Sequence, residues 1–157
     1  AFDAYCSFHV IEHVVDFKKH LATAAACVTP GGYAFIATPN ARGWEHRLPF
    51  NLSPNYDSSH FQLFSADAMS RALRAGGWGV VQVETPSYAL AWLRVVTRIL
   101  RRVRGQDVEI TGGQYARTSS AKLRRAIAMF SFFTWPLRRL QESLHGGNEL
   151  LIIARRL

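Results

Sequence analysis

At 157 residues the chain has the length of one domain, and 48% apolar against 19% charged residues is globular rather than disordered composition. No apolar run reaches the roughly 18 residues that a membrane-spanning helix needs. Two cysteines, Cys6 and Cys27, are too few for a disulfide framework. With no basic-then-apolar leader at the start, a reducing, cytoplasmic setting is expected.

The net charge of +8 is concentrated. Between Ser87 and Gly146 stand 11 Lys/Arg and 3 acids, so that segment carries the whole excess and the remainder is neutral. A field of that kind calls for an anionic partner: lipid head groups, a phosphate-bearing substrate or nucleic acid.

In chain order, Phe2 to Val10 is apolar with no polar face and predicts a buried strand. Asp16 caps a helix running to about Val28, with Phe17, Leu21, Ala24 and Ala25 at helical spacing. Pro30-Gly31-Gly32 permits a tight return, and Tyr33 to Thr38 predicts a second buried strand ended by Pro39-Asn40. Strand, helix, strand in this order predicts parallel pairing with a right-handed crossover. Residues 39 to 64 form a long loop with three prolines (Pro39, Pro49, Pro54), five aromatics and two histidines, a length that usually marks function. Ser65 and Asp67 open a helix carrying Met69, Ala72 and Leu73 and ending at Gly76-Gly77. Trp78 to Glu84 predicts a strand, stopped by Pro86.

The cationic segment follows. From Tyr88 to Arg104, Trp92, Val96, Ile99 and Val103 share one helical face, and Arg94, Arg98, Arg101 and Arg102 gather opposite. A polar loop holds Gly105 and Gly112-Gly113. A second helix is expected from near Ser119; its stretch from Ala126 to Leu137 is uncharged and bracketed by Arg124-Arg125 and Arg138-Arg139. Gly146-Gly147 leads to a last buried strand, Asn148 to Arg155.

Four stretches carry a resemblance: Phe2-Asp3-Ala4 through His9-Val10-Ile11-Glu12-His13-Val14; Val28-Thr29-Pro30-Gly31-Gly32 with Ile36-Ala37-Thr38-Pro39-Asn40; His60-Phe61-Gln62-Leu63-Phe64-Ser65 before a helix ending in Ala75-Gly76-Gly77-Trp78; and Asn148-Glu149 through Ala154-Arg155. In this order they resemble the C-terminal part of the class I S-adenosylmethionine-dependent methyltransferases. The nearest likeness is to the group of quinone-biosynthesis O-methyltransferases and bacterial enzymes acting on glycans, lipids or secondary metabolites. The resemblance implies an α/β, Rossmann-like, mostly parallel sheet of which this chain supplies the last four strands. Residues 87–146 then form a helical insertion before the final strand. A family member's glycine-rich cofactor loop lies earlier in the fold, and no Gly-x-Gly-x-x-Gly pattern occurs in these residues. The chain is therefore expected to be a fragment that begins inside the domain and binds no cofactor by itself.

The resemblance also implies that Ser7, Phe8 and His9, where the first strand ends, face the methionine side of S-adenosylmethionine. Methyl transfer to oxygen or nitrogen needs a base, and histidine titrates in the appropriate range; His13 and His60 are the candidates, with His46 also in the long loop. His9-Val10-Ile11-Glu12-His13 matches a zinc-peptidase pattern. That chemistry requires both histidines on one helix face, which the end of a strand does not give. Some relatives carry a Glu-x-x-Glu-His magnesium motif; here His9 replaces the first Glu, magnesium prefers oxygen, and no metal is assigned. Glu12 and His13 are instead expected to orient the following helix. The expected activity is methyl transfer to a small-molecule or lipid-linked acceptor. The cationic segment is read as a cap or as an anchor to an anionic membrane surface, with nucleic acid third for want of a binding module. A non-enzymatic membrane-surface or anionic-ligand module is the alternative.

Overall fold

In the computed structural model, which describes residues 1–47, 53, 59–105 and 121–157, four strands form one sheet in the order β1-β2-β4-β3. β1 (Phe2–Phe8) and β2 (Val28–Pro39) pair in parallel across α1 (Phe17–Cys27), as the alternation of apolar and helical patterns predicts. α2 (Ala66–Ala75) leads to β3 (Trp78–Glu84), and α3 (Ala89–Val103) and α4 (Ala121–Ser143) precede β4 (Glu149–Arg156). β4 lies between β2 and β3 and runs antiparallel to both, so three of the four strands share a direction. This reversal leaves no mark in an apolar run, which reads alike in either direction.

Local chemistry sets the boundaries. The Asp16 carboxylate accepts the Lys19 N–H at 3.0 Å, and Ser65 Oγ accepts the Ala68 N–H at 3.3 Å, each satisfying an orphan donor of a first helical turn. Gly77, with φ +88°, turns the chain from α2 into β3. Pro30-Gly31-Gly32 does not lie outside the strands as expected but inside β2. Phe2 pairs with Val28 and Ala4 with Tyr33, so the intervening residues bulge out of register.

Alternate residues of β2 and β4 (Ala34, Ile36, Leu150, Ile152 and Ala154) face α1 and α2. There they pack with Leu21, Met69, Leu73 and the fully buried Trp78. The other face is different. The expectation that Phe2 to Val10 is a buried strand is corrected: β1 is an edge strand of this sheet, Ser7 is buried and Tyr5 packs on the core, but Phe2, Phe8 and Val10 are exposed. Tyr33, Phe35 and Val81 are exposed as well. The physical reason is that, among the described residues, α1 and α2 cover one face only.

The far end of the long loop is stitched to the turn after β1. The Phe61 N–H donates to the Glu12 carbonyl at 2.9 Å, and the Gln62 amide donates to the Ile11 carbonyl at 3.3 Å and to the Val14 carbonyl. Pro49 and Pro54 of that loop, the Gly112-Gly113 turn and the helix start near Ser119 lie outside the described residues.

Candidate active site

β1 ends at the open carboxyl edge of the sheet, where ligands of such folds sit. There His9 adopts φ 54°, a left-handed conformation that side chains other than glycine seldom take. The turn places its imidazole between two carboxylates. Nδ1 lies 3.3 Å from Glu12 Oε1 and Nε2 lies 2.9 Å from Glu149 Oε1, the first residue of β4. Both acids are buried, and Glu12 Oε2 accepts the Thr38 hydroxyl at 2.9 Å. Contact with Glu12 first and Glu149 second raises the His9 pKa to about 10, against the opposing effect of burial. Burial by itself would raise Glu12, but the bonds from His9, its own backbone and Thr38 carry it below the ordinary carboxyl range. At neutral pH His9 is therefore an imidazolium and Glu12 a carboxylate, with the Glu149 carboxyl on the other side of the ring.

The clamp is held from behind by Asn40, which is almost fully buried. Its amide donates to the Gly147 carbonyl at 2.8 Å and the His145 carbonyl at 3.3 Å, its backbone N–H donates to the Asn148 carbonyl, and its Oδ1 accepts the Arg42 N–H at 3.0 Å. The end of β2 and the entry to β4 are thereby locked together. Beside them Glu45 is buried in the turn Trp44–Arg47, and burial, with the Glu149 charge adding to it, pushes its pKa up to about 7.

A carboxyl whose folded pKa exceeds its unfolded one binds more protons when folded, so stability falls as pH rises from about 4.5 to about 7. Glu45→Gln removes that titration. It is expected to stabilise the protein by about 1–3 kcal/mol at pH 8 and to change little at pH 4, as thermal melts at the two pH values would read out.

A pocket of about 340 Å³ opens in front of the clamp, with His9, Ala37 and Glu149 on one wall and Tyr88, Ala91 and Arg94 from the α3 end on the other. Burial first, then the charge of Glu149, raises the Tyr88 phenol and keeps it a neutral donor. Phe8 points to the open sheet face instead, where it borders an apolar pocket of about 200 Å³ with Phe35, Leu151 and Ile153.

Of the residues picked from sequence, Ser7, Phe8 and His9 do end β1, Ser7 on the core side and Phe8 on the open side. His13 and His60 come together, their rings 4.7 Å apart. His13 Nδ1 lies 2.8 Å from the Ser59 carbonyl; a carbonyl only accepts, so Nδ1 is the donor in that bond. Glu12, His13 and His60 offer ligand atoms within 4.8 Å of one another, a three-donor arrangement able to hold a metal ion. Local spacing shows Glu12 and His13 but not the third donor. His46 is half-buried, and burial lowers its pKa. Sequence reasoning missed Glu149, Asn40 and Glu45. For Glu149 a signal existed, an acid at the start of an otherwise apolar final strand.

The sequence model of a methyltransferase domain family matches residues 1–83, the part that builds β1, β2, β3 and the clamp's His9 and Glu12. No curated protein matches. Among solved structures, an S-adenosylmethionine-dependent methyltransferase from Archaeoglobus fulgidus is 16% identical with a TM-score of 0.54, over 98% of this chain and 59% of that one. The 4+2 cyclase SpnF is 14% identical with a TM-score of 0.54, over 99% and 51%. Mycolic acid cyclopropane synthase CmaA1, solved with SAH and CTAB, is 15% identical with a TM-score of 0.52, over 98% and 55%. The chain thus spans little more than half the length of these structures, and at such identities they speak for the fold alone. By its family match, with the Rossmann-like sheet in agreement, the chain belongs to the class I methyltransferases, whose cofactor is S-adenosylmethionine.

Proposed function

We propose that the protein takes part in S-adenosylmethionine-dependent methyl transfer to an oxygen or nitrogen of a small-molecule or lipid-linked acceptor, bound in the pocket between the clamp and α3. The observation that carries this reading is the family match, which runs through the strand end where the clamp forms. The residues present fit one end of the cofactor. Two acidic side chains flank one imidazole there, acidic surroundings that suit a sulfonium. Residues resembling the glycine-rich loop are not among them. The cofactor, when bound, supplies an electrophilic methyl group.

What this chain's residues contribute is placement and proton removal. Of the three residues that the resemblance turns toward the cofactor, Phe8 and His9 reach open space at the end of β1 and Ser7 backs them from the core side. His9 is protonated below about pH 10 and serves as a charge in the wall rather than as a base. The acceptor proton goes to His13 or His60, which sit together beside Glu12 rather than in the wall of this pocket, so the reacting atom of the acceptor has to reach past the clamp toward them. Glu12 and Glu149 fix the wall; Tyr88 and Arg94 meet the acceptor from the other side.

Transfer of a tritiated methyl group should be measured in protein that carries these residues together with a glycine-rich loop. His13→Ala or His60→Ala is expected to lower kcat at least 100-fold while cofactor affinity stays the same. Unchanged kcat in both variants removes the base assignment, and no transfer to hydroxyl or amino acceptors removes the activity. For the 157-residue chain by itself calorimetry should give no binding of S-adenosylmethionine; micromolar affinity would show that the loop is dispensable.

A further inference from the structure

We propose that α4 lies in the surface of an anionic lipid bilayer and holds the protein against it. The inference stands apart from methyl transfer and rests on how α4 is turned. A helix packed on a soluble domain buries its apolar stripe and exposes its polar one; α4 does the reverse.

Its polar side meets the body. Gln141, only 8% exposed, accepts the Ser87 hydroxyl at 2.7 Å and the Trp92 indole N–H at 2.8 Å. The Arg138 guanidinium donates to the Ser87 carbonyl at 2.9 Å, and a second bond to the Ser131 carbonyl of its own helix steadies it. On the other side Met129, Phe132, Phe133, Leu137 and Leu140 fall within an arc of roughly 140° at 3.6 residues per turn, and each is 55–75% exposed. Two helices that covered each other's apolar faces would leave no such stripe in the open.

The chemistry around the stripe selects the occupant. Lys122, Arg124 and Arg125 are exposed at the N-terminal end of α4 and Arg139 lies beside the stripe, while Glu142, the helix's one acid, is bonded to Arg139 and to the Ser87 N–H. Aromatic and aliphatic side chains enter the acyl boundary, and the cations meet lipid phosphates above it. A second copy pairing through the same stripe would bring its own cations against these. Among the described residues no helix is long and apolar enough to cross a membrane, so α4 lies along the surface rather than through it.

The test is co-sedimentation of the chain with vesicles of phosphatidylcholine alone and of phosphatidylcholine mixed with phosphatidylglycerol. Binding to the mixed vesicles is expected, weakened by salt. Phe132→Glu with Phe133→Glu should lower it on the order of 100-fold. Lys122→Gln with Arg125→Gln should lower it roughly 30-fold on anionic vesicles and leave neutral ones unaffected. All four positions are exposed, so circular dichroism melts should match wild type, and the Gln pair decides the matter if the Glu pair misfolds. No sedimentation with either vesicle overturns the proposal, as does binding that neither pair changes. So does a lipid-free dimer in sedimentation velocity that the Phe pair abolishes, since a second copy then covers the stripe. Loss of methyl transfer would leave all these results in place, so the two readings fail separately.

Discussion

Gly147→Ala is expected to destabilise the protein by about 3 kcal/mol or more. A Cβ at Gly147 would stand 1.9 Å from the Thr85 carbonyl oxygen and 2.6 Å from that of Pro86, both backbone atoms that no rotamer change can move aside. The segment is tied down on every side. The Gly147 carbonyl accepts from Asn40, Asn148 Oδ1 accepts the Tyr88 N–H at 2.7 Å, and the Glu149 N–H donates to the Pro86 carbonyl at 3.2 Å. Moving the chain outward to admit a methyl group would also pull Glu149 away from His9. Gly146→Ala is the matched control, since its added carbon meets nothing nearer than 3.5 Å. Its cost should stay within about 1 kcal/mol. Urea denaturation of the pair checks the prediction; equal midpoints would show that the approach at Thr85 relaxes freely.

His9→Ala is expected to cost about 2 kcal/mol near pH 6, a figure reduced because the imidazole is 57% exposed. Without the imidazolium, Glu12 and Glu149 are left as buried acids with no cation between them. The sign follows from the raised pKa of His9. Its contribution is complete below the unfolded value of about 6.5 and is lost as pH climbs through about 10. The stability gap between wild type and His9→Ala should therefore be widest near pH 6 and close by about pH 10. His9→Gly removes the same charge but suits φ 54°, so it should be about 1 kcal/mol more stable than His9→Ala. A gap that does not vary with pH would show that the clamp's charge is unimportant. Equal stability of the Ala and Gly variants would show that the backbone carries no strain.

Much of the fold is written locally. Asp16 and Ser65 announce α1 and α2, and the apolar runs at Tyr33 and Trp78 lie within β2 and β3. Each signal there is a few residues long and needs no knowledge of distant chain. The clamp is different. His9 and Glu149 are 140 residues apart, and no spacing rule links a histidine after one strand to an acid opening another. The third member of the Glu12, His13 and His60 group is hidden for the same reason. Burial was legible only in part. The run from Phe2 is apolar on both sides, but only one side meets helices. In α4 the uncharged stretch was visible, but not which side faces out, because that depends on Ser87 and Trp92 binding Gln141.

The reversed last strand has a consequence for the order of assembly. β3 has β4 as its sheet neighbour, and β2 reaches β3 only through β4, so the sheet stays in two pieces until residues 149–156 leave the ribosome. During synthesis the parallel pair can form early, while β3 waits with an unsatisfied ladder for a strand some 65 residues downstream, a long loop closure that slows the final step. Proteolytic clipping at Glu149 would not merely shorten the sheet but would unzip it in the middle.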